Sequence, residues 1–372
     1  MRIVYLTQLP ATDKKAWSGT ISFIYSIISK KYEVIPIAIE RSFTQKALEY
    51  ILRKATGYPR YESPLFLESK KRKIRKALQG YSSKDTVIFA PIGSNLIYSG
   101  GIPEDFKVIF LSDATYHCLD NYYFFDVPEN QGKLKNKFEQ AALNRADAII
   151  YASNWAKNDA MEYYNIPSDK IHVLPFGANL PGYEYVPRSF DNKFHYKLIL
   201  VGVDWKRKGV EIAIDAFRAL KSMNDKYSFE FTVVGVCPEN PSLYEDVRFV
   251  GRLDKNNPKD MDRLAELYKE HDIAILPTIA EAAGIVFAEA AMFGVPTFTH
   301  ATGGTQTYVE DGVTGRCLPL GSTGKDFADA IMDMLIRGKL PEYSVNARIK
   351  YERQLNYDFW MEAFDSIIES FH

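Results

Sequence analysis

TIAEAAGIVFAEAAMFGVPT, from Thr278 to Thr297, is the stretch on which the reading of this chain turns. The apolar run ahead of it, IAILP (Ile273 to Pro277), reads as a buried strand. After Gly284 a helical pattern begins in which Ile285, Ala288, Met292 and Phe293 can share one face. A strand, a loop of small residues and a helix start together form an anion site, because first-turn N–H groups have no acceptor within the helix. Glu281 lies in the loop, and Glu289 lies about one turn into the helix. A phosphate flanked by hydroxyl-bearing groups suits that layout, and a nucleotide sugar answers the description.

Outward from this stretch the same alternation recurs. In the first half RIVYLT, EVIPIAI, DTVIFA, KVIFLSD and ADAIIYAS read as strands. Helical patterns run from Gly19 to Lys30, Gly132 to Arg145 and Asn154 to Tyr164. A second series opens with YKLILVGV (Tyr196 to Val203) and continues through EIAIDAFRAL, FEFTVVGV, VRFVGRL and a helix from Asp260 to Glu270. Strands alternating with helices predict parallel sheets in doubly wound domains. A chain of 372 residues exceeds the usual size of one core, so two domains are expected. PFGANLPGYEYVP (Pro175 to Pro187) is the natural joint between them. The boundaries expected are a first domain over 1–180, a linker over 181–195, a second domain over 196–350, and a C-terminal helix over 351–372.

Composition narrows the function classes. Hydrophobic residues make up 46% and charged residues 25%, which suits a folded chain throughout. A net charge of −1 argues against a nucleic-acid partner. Cys118, Cys237 and Cys317 lie far apart in no metal-ligand spacing, as expected in a reducing cytoplasm. MRIVYLTQLP reads as a strand rather than a signal segment, and no uncharged apolar run approaches the roughly 18 residues of a membrane span. A soluble, cytoplasmic protein is expected.

Charge is uneven, however. From Arg41 to Gln79 eleven Lys/Arg face three acids, a local balance of +8 that leaves −9 for the remainder. KKRKIRKAL (Lys70 to Leu78) reads as a basic amphipathic helix. One reading is a solvated surface helix; the other is a peripheral contact of Lys70–Lys76 with anionic lipid at the inner face of the membrane, useful for a lipid-linked acceptor.

Several motifs in order resemble the retaining glycosyltransferases of family 4 (glycosyl transferases group 1). VGVDWKRKGVEIAIDAF (Val201 to Phe217) is similar to the first donor motif of that family. EAAGIVFAE is similar to its paired-glutamate motif, and GVP, GG (Gly303, Gly304) and DGVTG (Asp311 to Gly315) follow. WSGTISFIYSI resembles the glycine loop and helix after the first strand, and SNWAKNDAMEYYNIPSDKIHVLPFGAN resembles the approach to the linker. The resemblance implies an α/β fold of two Rossmann-like, doubly wound domains facing each other across a cleft (GT-B), with the acceptor side in 1–180, the nucleotide-sugar site in 196–350 and the helix of 351–372 packing back on the first domain. It also implies transfer of a sugar from a nucleotide diphosphate sugar to a hydroxyl acceptor, a glycan or lipid-linked molecule, in surface polysaccharide or glycolipid synthesis. Front-face attack, with the leaving diphosphate helping to deprotonate the acceptor, is the implied mechanism. A catalytically silent relative, or a phosphorylase or epimerase on the same fold, is the alternative.

The same resemblance assigns roles. Arg207 and Lys208 grip the diphosphate, Arg bidentately and Lys as a point charge. Cations at a helix N-terminus are electrostatically disfavoured, so their placement there is informative. Glu289 accepts from both ribose hydroxyls, and Glu281 faces the transferred sugar. Gly284, Ile285 and Val286 offer backbone N–H groups to the leaving phosphate, while Arg252 and Leu253 meet the base. Gly19 lets the first loop approach the ligand. Relatives keep a histidine where this chain has FLSDATYHCLDNYY, so either Asp113 or His117 serves the acceptor side. Asn179 stands where an aspartate is common, and Gly202-Val203 where glycine–arginine is common.

No cofactor or metal is expected. Asp260-Met261-Asp262 opens a helical pattern after Pro258, where acids cap and stabilise the N-terminus. Neither a Gly-x-Gly-x-x-Gly after a strand nor a Walker-type loop occurs.

Overall fold

The chain divides into two units, one of Met1–Leu174 with Met361–His372 and the other of Pro175–Trp360. The computed structural model describes residues 1–13, 16–41, 43–56, 64–180, 182–223 and 225–371. Arg60 and Glu62 of the basic stretch, and residue 181 of the expected linker, lie outside the described residues.

In the first unit, six apolar runs form β1 (Arg2–Thr7), β2 (Glu33–Ala38), β3 (Thr86–Pro91), β4 (Lys107–Ser112), β5 (Ala148–Tyr151) and β6 (Ile171–Val173). They lie side by side as β2-β1-β3-β4-β5-β6, every pair parallel. β1, β3, β4 and β5 are buried almost along their whole length, which is why they read as continuous apolar runs rather than alternating ones. Pro36 is tolerated because β2 is an edge strand. A 3-10 turn at Ala16–Gly19 leads into α1 (Thr20–Ile28), and the later helices are α2 (Phe43–Thr56), α3 (Pro64–Ala77), α4 (Ser94–Tyr98), α5 (Tyr116–Leu119), α6 (Glu129–Arg145) and α7 (Asn154–Glu162).

The basic segment is indeed helical, but its charges do not share one surface. Phe66, Lys70, Ile74 and Leu78 recur every fourth position and are buried, so Lys70 turns inward. Lys73 donates to the Glu40 carbonyl (2.7 Å) and to Gln45 Oε1 (3.2 Å). Arg72, Arg75 and Lys76 remain exposed. Among the described residues no helix is long and apolar enough to cross a membrane.

The second unit repeats the plan with β7 (His195–Val201), β8 (Ser228–Val234), β9 (Arg248–Gly251), β10 (Ile273–Leu276), β11 (Thr297–Ala301) and β12 (Gly315–Pro319). Their order is β12-β11-β10-β7-β8-β9, again all parallel. Around them lie α8 (Val210–Met223), α9 (Pro258–Glu270), α10 (Ile285–Met292), α11 (Thr305–Tyr308), α12 (Gly324–Ile336), α13 (Leu340–Gln354) and the start of α14 (Tyr357–Glu369). From Met361 onward α14 belongs to the first unit. There Phe364 meets Phe89 edge-on at 5.4 Å, and Asp365 accepts from the Tyr32 hydroxyl at 2.6 Å.

Candidate functional site

The strand order of the second unit fixes where a ligand can sit. The chain runs β7-β8-β9 toward one edge, returns to β10 beside β7, and then runs to the other edge. At such a switch point the loops leaving two adjacent strands diverge and open a crevice beyond their C-terminal ends. The loop after β7 carries Arg207 and Lys208; the loop after β10 carries Glu281 and Gly284.

Backbone contacts hold these two loops together. Gly209 has φ +66°, and a Cβ there would lie 2.1 Å from the Pro277 carbonyl oxygen, so only glycine permits the approach. The Ile279 N–H and the Thr278 hydroxyl both donate to the Arg207 carbonyl, at 2.9 and 3.0 Å. The Arg207 guanidinium donates to the Ala280 carbonyl (3.1 Å) and lies 3.8 Å from Glu281 Oε2. Lys208 donates its ammonium proton to the same Glu281 oxygen, and both residues are buried. The cations and the carboxylate assigned to leaving group and sugar are therefore brought to one place.

Glu289, wholly buried on α10, is paired in the same manner. Its Oε1 accepts from Lys255, and its Oε2 lies 3.5 Å from the Tyr268 hydroxyl. Burial, and then the neighbouring Glu289 charge, push the Tyr268 phenol well above its ordinary range, so it stays a protonated donor. Neither Lys255 nor Tyr268 stands out in the sequence. Lys255 lies just beyond Arg252-Leu253, and Tyr268 follows the buried spacing of Leu264 and Leu267 on α9.

Gly284 caps α10, and a Cβ there would come within 1.9 Å of the Phe287 ring. Of the three amides expected to face a phosphate, that of Ile285 is turned toward the Ala283 carbonyl (3.2 Å). Those of Gly284 and Val286 donate to no protein acceptor among the described residues. α10 is also buried on every side over Phe287–Met292, not on a single face as its pattern suggested, because α13 packs on it as well as the sheet. Arg252 is exposed after β9, while Leu253 packs on the core. Asn257, not an acid, caps α9 by accepting from the Lys259 amide. Asp260 accepts from the Asp254 amide at 2.8 Å and Asp262 from the Tyr183 hydroxyl at 2.7 Å, so both acids of the Asp-x-Asp have protein partners.

In the first unit Gly19 has φ +85° at the end of its 3-10 turn. That turn is linked to the strand end at Asp113, because Trp17 Nε1 donates to Asp113 Oδ2 at 3.1 Å. His117 is engaged elsewhere. Its Nδ1 lies 2.5 Å from Asp159 Oδ1 on α7, and its ring stacks on Tyr163 at 3.6 Å. In the neutral ring an Nδ1–H given to Asp159 leaves Nε2 as the basic nitrogen. Asp159 also accepts from the Thr115 hydroxyl. Glu139 on α6 is fully buried among these groups. Burial, with smaller contributions from Asp113 and Asp159, pushes its carboxyl up to about 7 against the opposing Ser94 hydrogen bond.

Residues 195–337 match the family described as Glycosyl transferases group 1, and residues 112–180 match Glycosyltransferase Family 4. A D-inositol 3-phosphate glycosyltransferase of Mycobacteroides abscessus is 32% identical over 253 residues, covering 64% of this chain and 54% of that protein. One from Corynebacterium aurimucosum is 26% identical over 232 residues, covering 56% and 53%. The chain spans about half the length of the curated relatives it matches. Among solved structures, the lipopolysaccharide outer core galactosyltransferase WaaB superposes with a TM-score of 0.70 at 14% identity, over 100% of both chains. Anabaena Alr3699/HepE, solved with UDP and glucose, gives 0.64 at 16% identity, also over 100% of both. Such identities speak for the fold, and two Rossmann-like units are what both share with it. With the two family matches falling in order along the chain, this protein belongs to the glycosyltransferases of family 4, glycosyl transferases group 1.

Proposed function

We propose that this chain is a retaining, metal-independent glycosyltransferase that moves a sugar from a nucleotide diphosphate sugar to a hydroxyl acceptor. The observation that carries the reading is the meeting of Arg207, Lys208 and Glu281 at the switch point between β7 and β10, followed along the chain by the Gly284 and Val286 amides, which donate to no protein acceptor among the described residues. Charge accumulates on the departing diphosphate as the anomeric C–O bond breaks, and fixed cations and amides stabilise it without reorganising. These groups supply the neutralisation that a divalent ion provides in other transferases. Glu281 faces the sugar and Glu289 the ribose. The acceptor oxygen bonds to the anomeric carbon on the face the diphosphate leaves, and its proton passes to a leaving phosphate oxygen.

Asp113 or His117 orients the acceptor hydroxyl, and Asp113→Asn and His117→Ala separate the two through their effects on acceptor KM. The names of the relatives support a sugar or polyol acceptor, and UDP in the Anabaena structure supports UDP as the first nucleotide to try. A role in surface polysaccharide or glycolipid synthesis accords with a peripheral contact to anionic lipid. Exposed Arg72, Arg75 and Lys76 on α3, with exposed Leu48, Tyr50 and Ile51 on α2, favour that contact.

The experiment is a thermal-shift screen against UDP, GDP, ADP, CMP and dTDP, with and without chelator. A ligand at about 100 times its Kd adds roughly 2.7 kcal/mol of stability. One nucleoside diphosphate is expected to stabilise the protein equally in both conditions. No shift with any of them overturns the donor site and favours the silent relative; a shift lost with chelator overturns metal independence.

A further inference from the structure

We propose that Lys255 is the residue that sets Glu289 to read the ribose of the donor nucleotide. The inference rests on the second unit being the nucleotide-sugar site.

Glu289 has no exposed surface, and a carboxylate so placed is costly unless a charge and hydrogen bonds compensate it. Two groups do so, both from one segment. Lys255 Nζ reaches Oε1 from the loop before α9, and the Tyr268 hydroxyl reaches Oε2 from the far end of that helix. An ionised carboxylate offers about four lone-pair positions on its two oxygens. With two taken, two remain, the number a vicinal diol requires. The ammonium holds the carboxylate as an acceptor and fixes its rotation, so both hydroxyls of a ribose are met at once.

Lys255 is itself held by a fixed loop. The Asp254 N–H donates to Asp260 Oδ2 (2.8 Å), and the Asp254 side chain accepts from the backbone N–H of Asn256 (2.9 Å) and its Nδ2 (2.8 Å). The Asn257 N–H donates to the Asp254 carbonyl at 2.8 Å. Asp260 thus fixes the backbone from which Lys255 reaches inward. The lysine side chain keeps 34% of its surface exposed, so it covers the buried carboxylate from the solvent side. Lys255 is a positioning residue: it acts on the ribose through Glu289.

The consequence is a preference for ribonucleotides that depends on Lys255. Titration calorimetry with UDP, GDP and ADP and their 2′-deoxy forms, on the wild-type protein, Lys255→Met and Lys255→Arg, tests it. Wild-type protein is expected to favour the ribose form by about tenfold or more, the effect of one hydrogen bond to a charged acceptor. Lys255→Met brings the ratio toward one by weakening only the ribose form, and Lys255→Arg restores most of it. Asp260→Ala, which keeps the lysine but frees its loop, lowers the ratio partway with deoxynucleotide affinity unchanged. An unaltered ratio in Lys255→Met, or equal loss of both forms, overturns the inference and leaves Lys255 a structural counter-ion. Wild-type protein that binds both forms equally removes the ribose from Glu289, and wild-type protein that binds no nucleotide fails the functional reading itself.

Discussion

Lys208 and Glu281 form a buried ion pair, the ammonium donating to Oε2 with only 8% of each side chain exposed. The pair joins the loop after β7 to the loop after β10, with the Arg207 guanidinium 3.8 Å from the same Glu281 oxygen.

Removing one member therefore has two separable effects. Lys208→Met should lower turnover by roughly 10²-fold or more through lost leaving-group stabilisation. It should also cost stability, up to about 3–5 kcal/mol, because buried Glu281 loses its close cation and keeps the more distant Arg207 guanidinium at 3.8 Å. Adding Glu281→Gln should recover much of the stability in urea unfolding but none of the turnover. Normal turnover in Lys208→Met would remove the lysine from the reaction.

Gly284→Ala tests the anion site through packing. The new methyl meets the Phe287 ring inside the core, and overpacking of this kind costs about 1–3 kcal/mol. Displacement of the α10 start should also weaken nucleoside diphosphate binding. Wild-type affinity, measured by calorimetry, would contradict a phosphate held by the Gly284 and Val286 amides.

The buried Glu139 makes stability depend on pH. Its folded value of about 7 lies above the ordinary 4.5, so between these two the folded state holds a proton that the unfolded state has released. Stability from this group is complete below the lower value and falls as pH rises to the upper one, by about 1.4 kcal/mol per unit. Glu139→Gln, a neutral mimic, should gain on the wild type across that window and then run parallel. Unfolding curves whose difference does not change with pH would contradict the buried, protonated carboxyl.

Reversing charge on the exposed face of α3 tests the lipid contact. The triple variant Arg72→Glu, Arg75→Glu, Lys76→Glu should release the protein from phosphatidylglycerol vesicles, at about 1 kcal/mol per basic residue lost. Serine at Leu48, Tyr50 and Ile51 should weaken the same sedimentation, and neither set should alter behaviour with phosphatidylcholine vesicles. Equal sedimentation of all forms leaves α3 a solvated surface helix.

The alternation of strands and helices was legible because a parallel strand buried on both faces is written as an unbroken apolar run, as in RIVYLT and KVIFLS. TFTHA was not legible. Thr297, Thr299 and His300 are buried in β11 but polar, and the His300 ring nitrogens lie 3.2 and 3.1 Å from the carbonyls of Thr278 and Ser322. β12, GRCLP, hides behind glycine, arginine and proline in the same way. At the candidate site, ordered spacing and resemblance single out Arg207, Lys208, Glu281 and Glu289, and the structure brings the first three together. Lys255 and Glu289 are 34 positions apart and His117 and Asp159 are 42 apart, and no local pattern links such partners. Lys70 was misplaced for a related reason: four-residue periodicity outranks charge in deciding which face of α3 turns inward.

The fastening of Arg207 to residues 278–280 has a consequence for how such an enzyme can diverge. Two loops that share main-chain bonds behave as one inherited block, so a graft of either alone brings mismatched carbonyls and amides. The loop that carries Lys255 closes its hydrogen bonds mainly on itself and on the first turn of α9. Redesign toward another donor is therefore best confined to that segment, with the paired loops exchanged together or not at all.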